Sequence, residues 1–371
     1  MKKYFRTIFR ILLLLALVFL LIYKQNWIQV NVIHRIQGMF YVYKGDRAYR
    51  KYKLSYAIEY YNRGLNLFPK HYTAWYNLGN IYVVYEDYLS AVDAYKEAIK
   101  YNPKYVMARM NLGIILAERL GDFDAAIEQY DKIVTTKYHV WAIPIVFSNK
   151  RSSKANRGLA YYNKGRAYRQ KAIYLPEDQR NMTIPLLVKS AEAYEKACKI
   201  LKKNSDARYN LALDYHLIGN YRDAGKNYCK AIELAPMNYE AHYNLAILLR
   251  RMKRFKASLE ELEKASLLIS ATDKSVNAEY IFGILSDVSH SYVDFKSDPR
   301  YAEISDTDNQ EVTPDKKKKK KHKKHKDDDD VESYISSDGK VRPSDDLDKS
   351  MMRDMSRCAG YSYFRNESNE Y

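Results

Sequence analysis

A chain of 371 residues, 47% of them hydrophobic, is long enough for two or more ordinary domains or for one long array. Its 13 glycines and 9 prolines are too few for a turn-rich all-β fold, and three cysteines without paired spacing make neither a disulfide framework nor a zinc site. The net charge of +17 is unevenly placed: residues 301–371 hold 15 Lys+Arg against 17 Asp+Glu, leaving 47 against 28 in the first 300, so the part with apolar periodicity is the basic part, suited to acidic partners or anionic surfaces.

In chain order, the first feature is a basic stub (Lys2, Lys3, Arg6, Arg10) before an unbroken apolar run over residues 11–23. A secretory signal has a core of similar length, but no small-x-small cleavage site follows here. Ile8, Phe9, Trp27, Ile28 and Val30 can lengthen the helix to roughly 20 residues, enough to span a bilayer from residue 8 to residue 30. Residues 1–34 are therefore expected to be a cytoplasmic stub and an uncleaved signal anchor; a cleaved signal and a buried helix are the alternatives. The Lys/Arg bias keeps the N-terminus in the cytoplasm and puts the rest on the periplasmic side of an inner membrane.

The next 235 residues repeat. WYNLGNIY (75–82) returns as MNLGIIL (110–116), YYNKGRAY (161–168), RYNLALDY (208–215) and HYNLAILL (242–249). Gly45, Gly79 and Gly113 are 34 apart, as are Pro69 and Pro103, Ala57 and Ala91, Tyr61 and Tyr95, and Asn210 and Asn244. A fixed period in this range marks a solenoid. The small residue (Gly79, Ala212) sits where two helices cross, tyrosines fill the space between neighbouring units, and Pro103 and Pro236 end the second helix.

The unit at 72–105, with Trp75, Leu78, Gly79, Tyr82, Ala91, Tyr95, Ala98 and Pro103, resembles the tetratricopeptide repeat (TPR) family of paired antiparallel helices. The resemblance extends over residues 38–272 with interruptions and implies an all-α solenoid of about five to six helix-turn-helix units, with a concave binding face. Block one is expected at 38–136 and block two at 158–272, followed by a capping helix at 273–296. The insert at 137–157 either covers the junction core or is an exposed docking element carrying Trp141 and Phe147.

In this family the first helix of each unit lines the concave groove. The resemblance therefore implies a partner-binding surface of Tyr76, Asn77, Asn80, Asn111, Tyr162, Asn163, Tyr209, Asn210, Tyr243 and Asn244, taking an extended segment or a helix. Chaperone-binding members clamp a terminal carboxylate with asparagine and lysine. Here the position four before each Asn holds Thr73, Met107, Leu159, Asp206 and Glu240, so that clamp is incomplete. The same asparagines and tyrosines are also ordinary repeat consensus.

Residues 297–371 lose all periodicity and are expected to be disordered. The lysine block from Lys316 to Lys326 either binds phosphates, lipid headgroups or anionic polymer, or is a solvated tail. Cys198 and Cys229 are expected in the core and Cys358 as an exposed thiol. There is no GxxxxGK[ST], HExxH, GxSxG or CxxC pair, so neither enzymatic chemistry, cofactor, metal nor nucleic acid is expected. The expected function is a membrane-anchored scaffold for protein–protein interaction in a bacterial envelope assembly such as a flagellar-motor or secretion structure. A peptide-binding receptor or co-chaperone with a cytosolic array is the alternative, and an enzyme a distant third.

Overall fold

The computed structural model describes residues 2–25, 32–136, 149–272, 277–297 and 357–358. Among them the regular structure is helical, without a strand. Two compact units divide the chain, Met1–Lys202 and Lys203–Tyr371. The first contains α1 (Lys2–Tyr23), α2 (His34–Arg50), α3 (Leu54–Leu67), α4 (Tyr72–Val84), α5 (Tyr88–Tyr101), α6 (Val106–Glu118), α7 (Phe123–Thr135), α8 (Asn149–Ile173), a 3₁₀ turn (Glu177–Met182) and α9 (Thr183–Ile200). The second contains α10 (Ser205–Ile218), α11 (Tyr221–Leu234), α12 (Tyr239–Arg251), α13 (Phe255–Thr272) and α14 (Asn277–Ser297).

Consecutive helices pair into hairpins, α2/α3, α4/α5, α6/α7 and α8/α9 in the first unit and α10/α11 and α12/α13 in the second, where α14 closes on α13. Side chains start many of these helices. Asp87, Asp122, Asn204, Asn220 and Asn238 each accept a hydrogen bond from the backbone N–H three residues on, satisfying a donor the helix cannot. His71 does the same for α4 through Nδ1, 3.3 Å from the Ala74 N, and burial pushes its imidazole below the ordinary histidine value, which favours the neutral ring that such an acceptor requires. The turn inside five hairpins places one residue in the left-handed region: Tyr52, Glu86, Gly121, Gly219 and Lys253. Only Gly121 and Gly219 occupy it without a steric penalty.

Within a hairpin the first-unit core has one recurring contact. The ring of a fully buried tyrosine on the second helix lies flat on a glycine of the first: Tyr61 on Gly45, Tyr95 on Gly79, Tyr130 on Gly113, Tyr194 on Gly165. Thus Tyr95 packs inside its own hairpin as well as toward its neighbour. Tyr228 of the second unit is equally buried, with Ala212 at the matching position. Each buried ring contributes on the order of 2 kcal/mol.

Among the described residues no helix is long and apolar enough to cross a membrane. The anchor expected over residues 8–30 is not shown, and its part at 26–30 lies outside the described residues. One expectation, that of Cys358, is corrected; α1 itself spans Lys2–Tyr23. Its Leu12, Leu14, Leu15, Phe19 and Leu20 stay exposed. Cys358 is not a free thiol: it forms a disulfide with the buried Cys229 of α11, 129 residues earlier, while Cys198 is free and buried. Spacing reports nothing about a bond closed by so long a loop. Arg357 adds a second tie, its carbonyl accepting from Lys264 Nζ at 2.6 Å. Trp141, Phe147 and the Lys316–Lys326 block lie outside the described residues.

A methyl group at residue 79 would sit 2.7 Å from the Tyr95 ring. Gly79→Ala is therefore expected to destabilise the first unit by about 1–2 kcal/mol in urea unfolding, the overpacking exceeding the gain in helix propensity. Under non-reducing conditions a maleimide should leave Cys358 unlabelled. Reduction should expose it and lower the stability of the second unit by up to about 5 kcal/mol, the entropy of so long a loop.

Candidate functional site

The tyrosine hydroxyls do not stop at the hairpin core. Tyr61 donates to Asp46 Oδ1 at 2.6 Å, and Asn77 Nδ2, from the next hairpin, reaches the same carboxylate oxygen at 3.1 Å and the Tyr61 hydroxyl at 3.2 Å. One period later the arrangement recurs. Tyr95 donates to Asn80 Oδ1 at 2.7 Å, and Asn111 Nδ2 meets Asn80 Oδ1 at 3.0 Å and the Tyr95 hydroxyl at 3.4 Å. Burial, joined at Tyr61 by the Asp46 carboxylate, holds both phenols far above their ordinary value, so they remain donors. The seam changes at the third hairpin, where the acceptor position is Ile114 and Asn163 Nδ2 faces Met110 Sδ at 3.2 Å.

Asn77 and Asn111 thus spend their amide N–H groups on joining hairpins. Their Oδ1 atoms have no donor among the described residues, and both residues are half-buried beside the tyrosines of α4. Tyr76 stacks edge-on against Tyr105 at 5.2 Å and tilts onto Tyr95 at 5.9 Å, while Tyr72 meets Tyr105 at 5.0 Å. Burial and the Tyr76 and Tyr72 rings push the Tyr105 phenol up to about 12. The result is a surface strip of aromatic rings and amide oxygens along α4 and α6.

The remaining expected residues are placed as follows. Tyr162 packs edge-on against Tyr194 at 5.6 Å. In the second unit Asn244 Nδ2 donates to the Tyr209 hydroxyl at 3.0 Å, repeating the reach of Asn111 to Tyr76, and Tyr209 tilts onto Tyr228 at 6.0 Å. Asn210 bonds its own helix at the Asp206 carbonyl, and Tyr243 packs beside Ala246 and Val288. The structure therefore brings Tyr76, Asn77, Asn80 and Asn111 together in the first unit, and Tyr209 and Asn244 in the second.

Sequence reasoning missed two things. Asp46, the first acceptor of the seam, stands where Asn80 stands one period later, and alignment by apolar residues passes over it. The other is the position of Trp75. Its Nε1 donates to the Pro69 carbonyl six residues back at 2.8 Å; Arg109 Nε donates to the Pro103 carbonyl at 3.0 Å, and His242 Nε2 lies 2.9 Å from the Pro236 carbonyl. The unit at 239–272 carries His242 in place of tryptophan, and the chemistry kept is an N–H donor that closes the carbonyl of the preceding proline. Side chains at this position also reach across the hairpin: Arg109 to Gln129 at 2.9 Å, Arg208 to Asn227 at 3.1 Å, His242 Nδ1 to Glu261 at 2.6 Å. Glu261 is also paired with Lys264 at 3.1 Å. His242 and Glu261 have no exposed surface, so this group joins helices rather than meeting a substrate. Among the described residues no group of three or more His, Cys, Asp or Glu is placed to hold a metal ion.

The tetratricopeptide repeat family model matches residues 85–137 and 209–273. These two stretches are thus similar to tetratricopeptide repeats. Over 78 residues the chain is 35% identical to the UDP-N-acetylglucosamine–peptide N-acetylglucosaminyltransferase of Giardia intestinalis, which is 21% of this chain and 5% of that protein. The chain thus spans a small fraction of that relative's length. Among solved structures it is similar to a crystal structure of MamA, with 21% identity, TM-score 0.42 and coverage of 54% of this chain and 92% of that one. It is also similar to PilF of Pseudomonas aeruginosa, with 12% identity, TM-score 0.47 and coverage of 67% and 98%.

Asn77→Ala removes the donor that ties α4 to Asp46 and Tyr61. It is expected to cost about 1–2 kcal/mol. His242→Ala removes the donor to the Pro236 carbonyl and the imidazole paired with the buried Glu261 carboxylate. It is expected to cost about 3 kcal/mol or more in the same denaturant titration.

Proposed function

We propose that the chain is a non-enzymatic scaffold that binds an extended protein segment along the strip on α4 and α6. The observation that carries this reading is the pair of Asn77 and Asn111 Oδ1 atoms, which have no donor among the described residues and lie beside a row of tyrosine rings. Their N–H groups are fixed by the seam, so the acceptors are pre-oriented for the backbone N–H groups of a segment laid across two hairpins, with its side chains packing on Tyr72 and Tyr76. A rigid repeat frame that needs no reordering on binding suits a scaffold.

The finer reading places this scaffold at a membrane, outside the cytoplasm, in an envelope assembly. Two observations support it. The exposed leucines of α1 form an apolar surface that nothing in the described residues covers, and such a surface in water favours insertion into lipid or a protein partner. The Cys229–Cys358 disulfide suits an oxidising compartment.

Photo-crosslinking in intact cells tests the binding reading. A photoreactive residue at the exposed Met107 of α6 is expected to capture one defined protein. The adduct should weaken with Asn111→Ala and persist with a substitution at the exposed Leu217 of the second unit. An absence of adducts, or adducts indifferent to Asn111, would refute the groove reading. Release of the protein from membranes on deletion of residues 1–25 tests the attachment separately.

A further inference from the structure

We infer that the first hairpin carries a binding site for a phosphate group, in an open cavity of about 380 Å³ lined by Lys44, Arg47, Ala48, Lys51, Lys53, Tyr56 and Tyr60. The inference does not rest on the scaffold reading, because it concerns a different face and a different ligand chemistry.

The sequence builds the site through helix periodicity. Lys44, Arg47 and Lys51 follow one another at steps of three and four along and just past α2, and so share one face. Lys53 lies in the turn, and Tyr56 and Tyr60 present the facing turn of α3. Four cations therefore converge with no carboxylate in the lining. The nearest acid along α2, Asp46, is committed to Tyr61 and Asn77, and Glu59 on α3 is paired with Arg63 at 2.7 Å. Among the described residues none of the four cations has an ion-pair partner. In this they differ from the lysine-lined cavity of α8 and α9, where Glu192 shares the lining and Lys164 is paired with Asp131.

The cations are also positioned. Lys44 Nζ stands 4.5 Å from the Phe40 ring centroid and 5.7 Å from that of Tyr60, so the aromatic faces hold the ammonium group at the cavity. The phenols of Tyr56 and Tyr60 have no hydrogen-bond partner among the described residues. No side chain caps the first turn of α3 at Lys53, which leaves backbone N–H donors at the cavity edge. A bland account, cations complementing the C-terminal end of α2, explains Arg47 and Lys51 but not Lys44 held on the ring of α3, nor the two idle phenols. Four like charges around one cavity repel, and an anion relieves that repulsion. A phosphate offers several acceptor oxygens: the Arg47 guanidinium can take two of them side by side, while the lysines and phenols take the rest. The volume exceeds that of a bare phosphate and leaves the tyrosine faces to pack on a small organic group. The ligand is thus a phosphate ester, either free in solution or as the headgroup of an anionic lipid.

The test uses the full chain in uncharged detergent and titrates glycerol 3-phosphate at low salt by calorimetry. In parallel the chain is floated with vesicles of phosphatidylcholine alone or mixed with about one quarter phosphatidylglycerol. The variant is Lys44→Gln/Arg47→Gln, and the control Lys189→Gln/Lys196→Gln removes the same charge at the other cavity. Saturable binding of glycerol 3-phosphate, weakened about tenfold or more by the variant and hardly by the control, supports the site with a free ester as ligand. Binding that requires phosphatidylglycerol and is lost in the same variant supports it with a lipid headgroup. Absence of both, or equal loss in variant and control, overturns it. If the first pair alters thermal unfolding, Lys51→Gln/Lys53→Gln is read instead, both side chains being exposed.

Discussion

In the first unit, everything depends on a tyrosine lying on a glycine. The ring of Tyr61 or Tyr95 rests on Gly45 or Gly79 because no Cβ intervenes, and this sets how closely the two helices of a hairpin approach. The hydroxyl of the same ring then emerges where the next hairpin begins, beside Asp46 or Asn80, and is met there by Asn77 or Asn111. One side chain thus does two tasks: its apolar body closes a hairpin and its polar tip joins that hairpin to its neighbour. At Tyr61 and Tyr95 the acceptors at residues 46 and 80 satisfy the hydroxyl and so offset the cost of burying it.

The seam also explains why the expected groove residues are not all equivalent. Asn77 and Asn111 are anchored by their amide nitrogens. Asn210 turns to its own helix, and Asn163 faces a sulfur atom. Repetition of a residue type along the chain did not guarantee repetition of its contacts, because each asparagine responds to what the preceding hairpin offers. Where residue 114 is isoleucine the acceptor is gone and the seam ends.

A second recurring contact is chemical rather than compositional. Trp75, Arg109 and His242 share no size, charge or aromatic character beyond carrying an N–H, yet each closes the carbonyl of a proline six residues earlier. A proline that ends one helix leaves carbonyls without partners, and the next helix supplies the missing donor. His242 goes further, joining Glu261 and through it Lys264 in a group without solvent, which serves the packing of α12 on α13.

Much of the fold was legible in the sequence. The period of 34 residues, the small residues at helix crossings and the prolines at helix ends were enough to place the hairpins, because backbone sterics and helix geometry act locally. The matched segments at 85–137 and 209–273 bear this out. Tertiary structure alone decided what depends on distance through space. It paired Cys229 with Cys358 across 129 residues, brought Asp46 under Tyr61 and Asn77, and gathered Lys44, Arg47, Lys51 and Lys53 around one cavity with the acids turned elsewhere. A sequence read by apolar periodicity records which residues face inward; which polar groups then meet is settled only when the hairpins stack.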